Sequence, residues 1–240
     1  MNHKPLLIIA AILTVSCQDA VPLYKQADAP IEKRVEDLLS RMTLEEKILQ
    51  MNQVTLGTNL NQNNIGGEPV EPVLGSYITY TATDPTEINQ MQKRAMEETR
   101  LGIPVLFGFD AIHGFRTVYP IPLAQSCSWN PELVEKACSI SARESRLSGI
   151  PWTFSPMVDI ARDGRWGRCA EGYGEDPYTA SVFCAASVRG YQGDDLSDST
   201  KIAACIKHYI GYGASVAGAG FTGVELLGAL SEQRDKYAEI

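Results

Sequence analysis

Asp110, the dipeptide Lys207-His208 and the arginines Arg162, Arg165 and Arg168 are the residues whose types and settings suit them to polar chemistry. Asp110 closes the apolar run "VLFGFD", and a carboxylate there can accept two hydroxyl hydrogen bonds of the kind a sugar ring offers. An isolated aspartate would simply cap the following turn. Its place directly behind residues of β type gives the binding role more weight. Lys207 follows "AACI", where an ammonium is costly without a partner, unless its stem carries it out to solvent beside a histidine held by a backbone carbonyl. The stretch "DIARDGRWGRCAEGYGED", residues 159–176, sets the three arginines among five acids: Asp159, Asp163, Glu171, Glu175 and Asp176. Arginine grips carboxylates as a two-pronged fork, so these pairs are expected to lock a loop too rich in glycine to be a helix. Most of them are scaffold, and no more than one arginine is expected to face a ligand. Trp166 is assigned to packing.

The elements that must position these residues follow from local signals. "PIEKRVEDLLSRMTLEEKILQM" has a helical rhythm interrupted near Met42 and Thr43, and Thr43 with Glu46 reads as a capping box that starts a second helix. Asp84 then Pro85, Asn130 then Pro131, and Asp176 then Pro177 each place a capping side chain before a proline at the first helical position. Between these helices, "VLFGFD", "WTFSPMVDI" and "KIAACIKHYIGYG" read as strands. Alternating strands and helices predict parallel pairing and an α/β architecture. Each strand ends in polar residues, as in a β/α barrel whose site lies at the carboxyl ends of its strands. "GFDAIHG" is not the glycine-rich phosphate loop of a doubly wound sheet, so an incomplete TIM-like (β/α)8 barrel is the predicted fold.

The net charge of −8 argues against a nucleic-acid partner. "MNHKPLLIIAAILTVSC" has a basic start at Lys4, an apolar run over 6–15 and small Ser16 before Cys17. That is the pattern of an export signal over residues 1–17, with Cys17 as a lipidated, mature N-terminus and residues 18–30 as a tether. The expected location is therefore exported, periplasmic or anchored to the outer membrane as a lipoprotein, with Cys17 as its membrane link. Export permits disulfides, yet the five cysteines beyond Cys17 show no CxxC spacing, and Cys205 is expected to be a small buried hydrophobe. His113 and His208 lack ligand-type spacing, so neither a metal nor another cofactor is expected.

"RMTLEEKILQM", "RLGIPVLFGFDAIHGFRTVYPIPLAQSCSWNPELVE", "WTFSPMVDIARDGRWGRCAEGYGEDP", "VRGYQGDD" and "AACIKHYIGYGA" together resemble glycoside hydrolase family 3, the β-glucosidase and exo-glucanase group. The resemblance runs over residues 31–215, and residues 215–240 diverge within a partial barrel domain spanning 31–240. It implies a pocket for a terminal non-reducing β-D-glucosyl residue, with Asp110, Arg168, Lys207 and His208 bonding its hydroxyls and His113, Arg162 and Arg165 supporting them. The choice of Arg168 among the arginines comes from the resemblance. In that family the nucleophile is an aspartate of an SDW-like motif on a later strand, and the acid/base glutamate comes from a second domain. Neither is found in this sequence, so the resemblance implies a fragment without catalytic residues, inactive by itself. Two other readings stay open: a non-catalytic glycan-binding lipoprotein that keeps the sugar subsite, and an aldolase-like barrel using Lys207 as a Schiff-base nucleophile.

Overall fold

The computed structural model describes residues 21–56, 74–79, 84–209 and 211–215. The signal and Cys17 lie outside the described residues, as does the divergent segment from 216 onward. The chain divides into two compact units, Met1–Lys47 and Ile48–Ile240.

In the first unit, α1 (Ile31–Arg41) is braced by Asp37, which accepts from the Tyr24 backbone N–H at 3.0 Å and pairs with Arg41 one turn later at 2.9 Å. The Arg41 hydrogen bonds hold the Asp37 carboxyl below its ordinary range. The predicted capping box is present. The Thr43 hydroxyl accepts from the Glu46 N–H (3.2 Å) and Glu46 accepts from the Thr43 N–H (2.8 Å), which opens α2 (Leu44–Met51).

In the second unit a four-stranded parallel sheet runs in the order β1 (Gln53–Leu56), β2 (Ser76–Thr79), β3 (Leu106–Phe109), β4 (Trp152–Thr153). Successive strands are neighbours and the order never reverses. A doubly wound sheet would reverse it; a barrel adds each strand to the same side. The fold is α/β, part of a TIM-like barrel. Between the strands lie α3 (Pro85–Glu97), the short α4 (Pro122–Ser126) and α5 (Pro131–Leu147). After β4 comes α6 (Pro177–Gln192). All three predicted caps are made: Asp84 accepts from Thr86 N–H (2.8 Å), Asn130 from Leu133 N–H (3.3 Å) and Asp176 from Thr179 N–H (2.6 Å). Helix α5 stops at Gly149, whose φ of +84° a residue with a side chain adopts only under strain.

The buried side chains form three clusters. Tyr77 and Phe107 of the sheet stack at 5.7 Å and pack with Ile88 and Ala95 of α3 and with Ile150. Val134, Cys138 and Ala142 of α5 pack against Ala180, Phe183, Cys184 and Tyr191 of α6. These helices approach so closely at Gly190 that a Cβ there would sit 2.4 Å from the Glu135 carbonyl oxygen. The third cluster, Met157, Ala161, Trp166 and Tyr212, includes two residues of the charged loop itself.

Two predicted strands are shorter than the sequence suggests. "WTFSPMVDI" forms a ladder only at Trp152–Thr153, and "KIAACIKHYIGYG" meets it at two isolated bridges, Ala203 with Trp152 and Lys207 with Met157. The two segments still run side by side: Ala203 N–H donates to Pro151 O (2.8 Å), Cys205 N–H to Ser155 O (3.0 Å) and Lys207 N–H to Pro156 O (3.2 Å). Prolines at 151 and 156 accept but cannot donate, so the pairing is broken into pieces. Cys205 is only half-buried, unlike the expectation. The fully packed thiols are Cys138 and Cys184, which burial pushes up to about 11 and about 12 respectively.

Candidate functional site

Asp110 follows β3 directly, and its backbone is held by its neighbours. The Ala111 N–H donates to Phe109 O (3.0 Å) and to the Thr153 hydroxyl (3.2 Å), while Ala111 O accepts from the buried Tyr191 hydroxyl (2.5 Å). The loop beyond is clamped by Glu144, which accepts from the backbone of Arg116 and Thr117 (2.9 Å each) and from the Thr117 hydroxyl (2.6 Å). Thus pinned, Asp110 Oδ1 accepts from Lys207 Nζ at 2.6 Å, with the lysine side chain 14% and the aspartate 42% exposed. The ammonium at the end of an apolar segment has its partner, as desolvation requires.

His208, the next residue, sits between two charged groups. Asp159 Oδ2 accepts from its backbone N–H (3.1 Å) and from Nδ1 (2.9 Å), and Arg168 Nη1 lies 3.1 Å from Nε2. Arg168 is in turn held two-pronged by Glu171, Nε to Oε1 at 2.6 Å and Nη2 to Oε2 at 2.5 Å. This grip holds the Glu171 carboxyl below its ordinary value and the guanidinium above its own. Tyr212 lies under both: its ring meets His208 edge-on at 4.8 Å and lies 5.4 Å from the guanidinium carbon. Trp166, buried as expected for packing, meets Tyr212 edge-on at 5.2 Å.

Asp110 with Lys207 and Arg168 with His208 form two contacts, brought together because Lys207 and His208 are consecutive, although 97 positions separate Asp110 from Lys207 and 40 separate Arg168 from His208. The three expected supporting residues lie apart from these contacts. His113 Nδ1 meets Tyr119 O at 3.1 Å, and Arg165 pairs with Asp163 at 2.6 Å on the surface. The Arg162 backbone N–H donates to Gly213 O at 3.3 Å, and Arg162 lines a groove of about 460 Å³ with Glu175 and Tyr209. Asp159 borders the same groove, which links it to the charged cluster. A mostly apolar cleft of about 340 Å³ between the segment 119–128 and α5 contains none of the four residues.

In the sequence Asp159 and Glu171 read only as scaffold charges. The spacing of Arg168 and Glu171, three residues apart, was the visible signal for one pair; nothing in the sequence marks Tyr212. Chemically, the cluster offers ammonium and guanidinium donors beside carboxylate acceptors. Lys207 and Arg168 supply two positive charges against three carboxylates, Asp110, Asp159 and Glu171. Such a surface suits a neutral ligand carrying several hydroxyls better than an anion.

The family model "Glycosyl hydrolase family 3 N terminal domain" matches residues 43–235. A periplasmic β-glucosidase of Salmonella typhimurium is 37% identical over 80% of this chain and 25% of its own length. A putative β-xylosidase of Formosa agariphila is 33% identical over 85% of this chain and 29% of its own. Among solved structures, a β-glucosidase from Listeria innocua superposes with a TM-score of 0.72 at 38% identity, over 78% of this chain and 28% of that one. The chain thus spans about a quarter of the length of such relatives. With the parallel, unreversed strand order and the cluster at the strand ends, these matches lead to one assignment: the chain belongs to glycosyl hydrolase family 3.

Proposed function

We propose that the chain supplies the sugar-gripping part of an exported glycoside hydrolase acting on terminal non-reducing β-D-glucosyl residues. The observation that carries this reading is that the consecutive residues Lys207 and His208 contact Asp110 and Arg168 respectively, gathering the four at one place. Asp110 accepts from hydroxyls, and Lys207 and Arg168 donate to them. The excess of carboxylate over cation favours neutral hexosides over uronates. His113, Arg162 and Arg165 shape the surrounding loops. The periplasmic relative supports export, and Cys17 is proposed as the lipid anchor.

Hydrolysis with retention needs two carboxyl groups about 5 Å apart, one ionised as nucleophile and one protonated as acid. Each carboxylate of the cluster is already engaged: Asp110 by Lys207, Asp159 by His208 and Glu171 by Arg168. Glu171 is held below its ordinary value, the wrong direction for a proton donor. These engagements favour binding without cleavage by this chain alone, which is also what a glycan-binding lipoprotein would do. Calorimetric titration with glucose, xylose and glucuronate, beside p-nitrophenyl β-glucoside turnover, tests the reading. Glucose is expected to bind more tightly than glucuronate, with no turnover. Failure to bind any neutral sugar would refute it.

A further inference from the structure

Among the described residues Asp159 is the single charged side chain in the interior, 8% exposed, and its only hydrogen bonds there go to His208. We infer that Asp159 is a positioning residue that, through the imidazole of His208, fixes the guanidinium of Arg168. The inference rests on the sugar-binding reading above and adds to it the means by which the arginine is aimed.

The hydrogen-bond network dictates the tautomer. A guanidinium can only donate, so at 3.1 Å from Arg168 Nη1 the His208 Nε2 accepts. The ring proton then lies on Nδ1, and Asp159 Oδ2 accepts it at 2.9 Å. The opposite tautomer would set N–H against N–H at Arg168 and a lone pair against a carboxylate at Asp159. Because the same oxygen also takes the His208 backbone N–H at 3.1 Å, ring and backbone are oriented together. Holding one ring nitrogen fixes what the other presents, as it does for histidines behind metal ions. Glu171 grips a second edge of the guanidinium and Tyr212 lies against it. Arg168 is thereby immobilised before any ligand arrives, which lowers the ordering cost of binding and lets its donors read hydroxyl positions.

Only three histidines occur in the sequence, so long-range ¹⁵N–¹H correlation spectra of the full chain can read the tautomer directly. The His208 signals are assigned by their loss in His208→Gln. The expected spectrum has a protonated Nδ1 and a bare Nε2; a protonated Nε2 overturns the inference whatever the protein binds. Asp159→Ala is expected to give mixed tautomers and to weaken glucose binding roughly tenfold. Asp159→Asn, whose side-chain oxygen can accept both N–H groups, is expected to restore binding to within about threefold. An Asp159→Ala protein with unchanged tautomer and affinity also overturns it. Should Asp159→Ala fail to fold, the unmodified protein and Asp159→Asn carry the test. A wild-type chain that shows the expected tautomer but binds no glucose refutes the sugar reading and leaves the positioning role of Asp159 standing.

Discussion

The α5–α6 pair and the charged cluster around Arg168 are held by opposite means. Between the helices, Val134, Cys138 and Ala142 meet Phe183 and Cys184 in an apolar interface, with backbones drawn together at Gly190. Around Arg168, a few directional bonds among Asp159, His208, Glu171 and Tyr212 fix the geometry over a small apolar floor. Burial of apolar area stabilises the first in proportion to contact and tolerates small displacements. The second gains little net stability from its ion pairs, yet loses its aim if one partner goes. The two are coupled at Ala111, whose carbonyl accepts from Tyr191 of α6 directly behind Asp110. The scaffold thus determines whether the chain folds, and the cluster determines what it can hold.

Substitutions in each region should therefore separate stability from affinity. The largest stability effect belongs to the scaffold. Phe183 is 2% exposed and stacks on Tyr173 at 5.6 Å, so Phe183→Ala should cost about 4 kcal/mol in urea unfolding. The glucose affinity of the folded fraction should stay within about threefold, because Phe183 touches none of the cluster. The mirror case is Lys207→Ala. It should lower glucose affinity by roughly ten- to a hundredfold, as removal of a charged hydrogen-bond donor does. Stability should change by no more than about 1 kcal/mol, because the Asp110 partner is 42% exposed. A smaller effect is expected from Asp176→Ala, which removes the cap of α6 and should cost about 1 kcal/mol without touching affinity.

The smallest effect is a pH dependence. Arg168 depresses the Glu171 carboxyl in the folded state, so this pair contributes stability above the ordinary carboxylate value and loses it as pH falls through the lowered one. Unfolding midpoints of Glu171→Gln and the unmodified protein should converge on acidification. A gap that widens toward acid would contradict the pairing.

The helices were legible in the sequence because their signals are local: a capping side chain, a proline behind it and a glycine at the end all lie within one stretch of chain. The strands were less so. β1 and β2 are four residues each, too short for alternation to show. The segments around Pro156 and Lys207 read as strands by composition, but Pro151 and Pro156 of the first break the ladder between them. Asp110 and Lys207-His208 could be found because polar residues at the ends of apolar runs stand out. The pairing of Asp159 with His208 could not, since it joins positions 49 apart. Arg162, Arg165 and Arg168 look alike by residue type and setting; the family resemblance singles out Arg168, and in the fold Arg168 is the one that reaches His208 while Arg165 pairs with Asp163.

The central claim is that Asp110 and Arg168, delivered by different strand ends, hold one and the same sugar. Calorimetric titration of glucose into the unmodified chain, Asp110→Ala and Arg168→Ala tests it most directly. Each substitution is predicted to weaken binding at least about tenfold. Glucose affinity left unchanged by either one would contradict the claim.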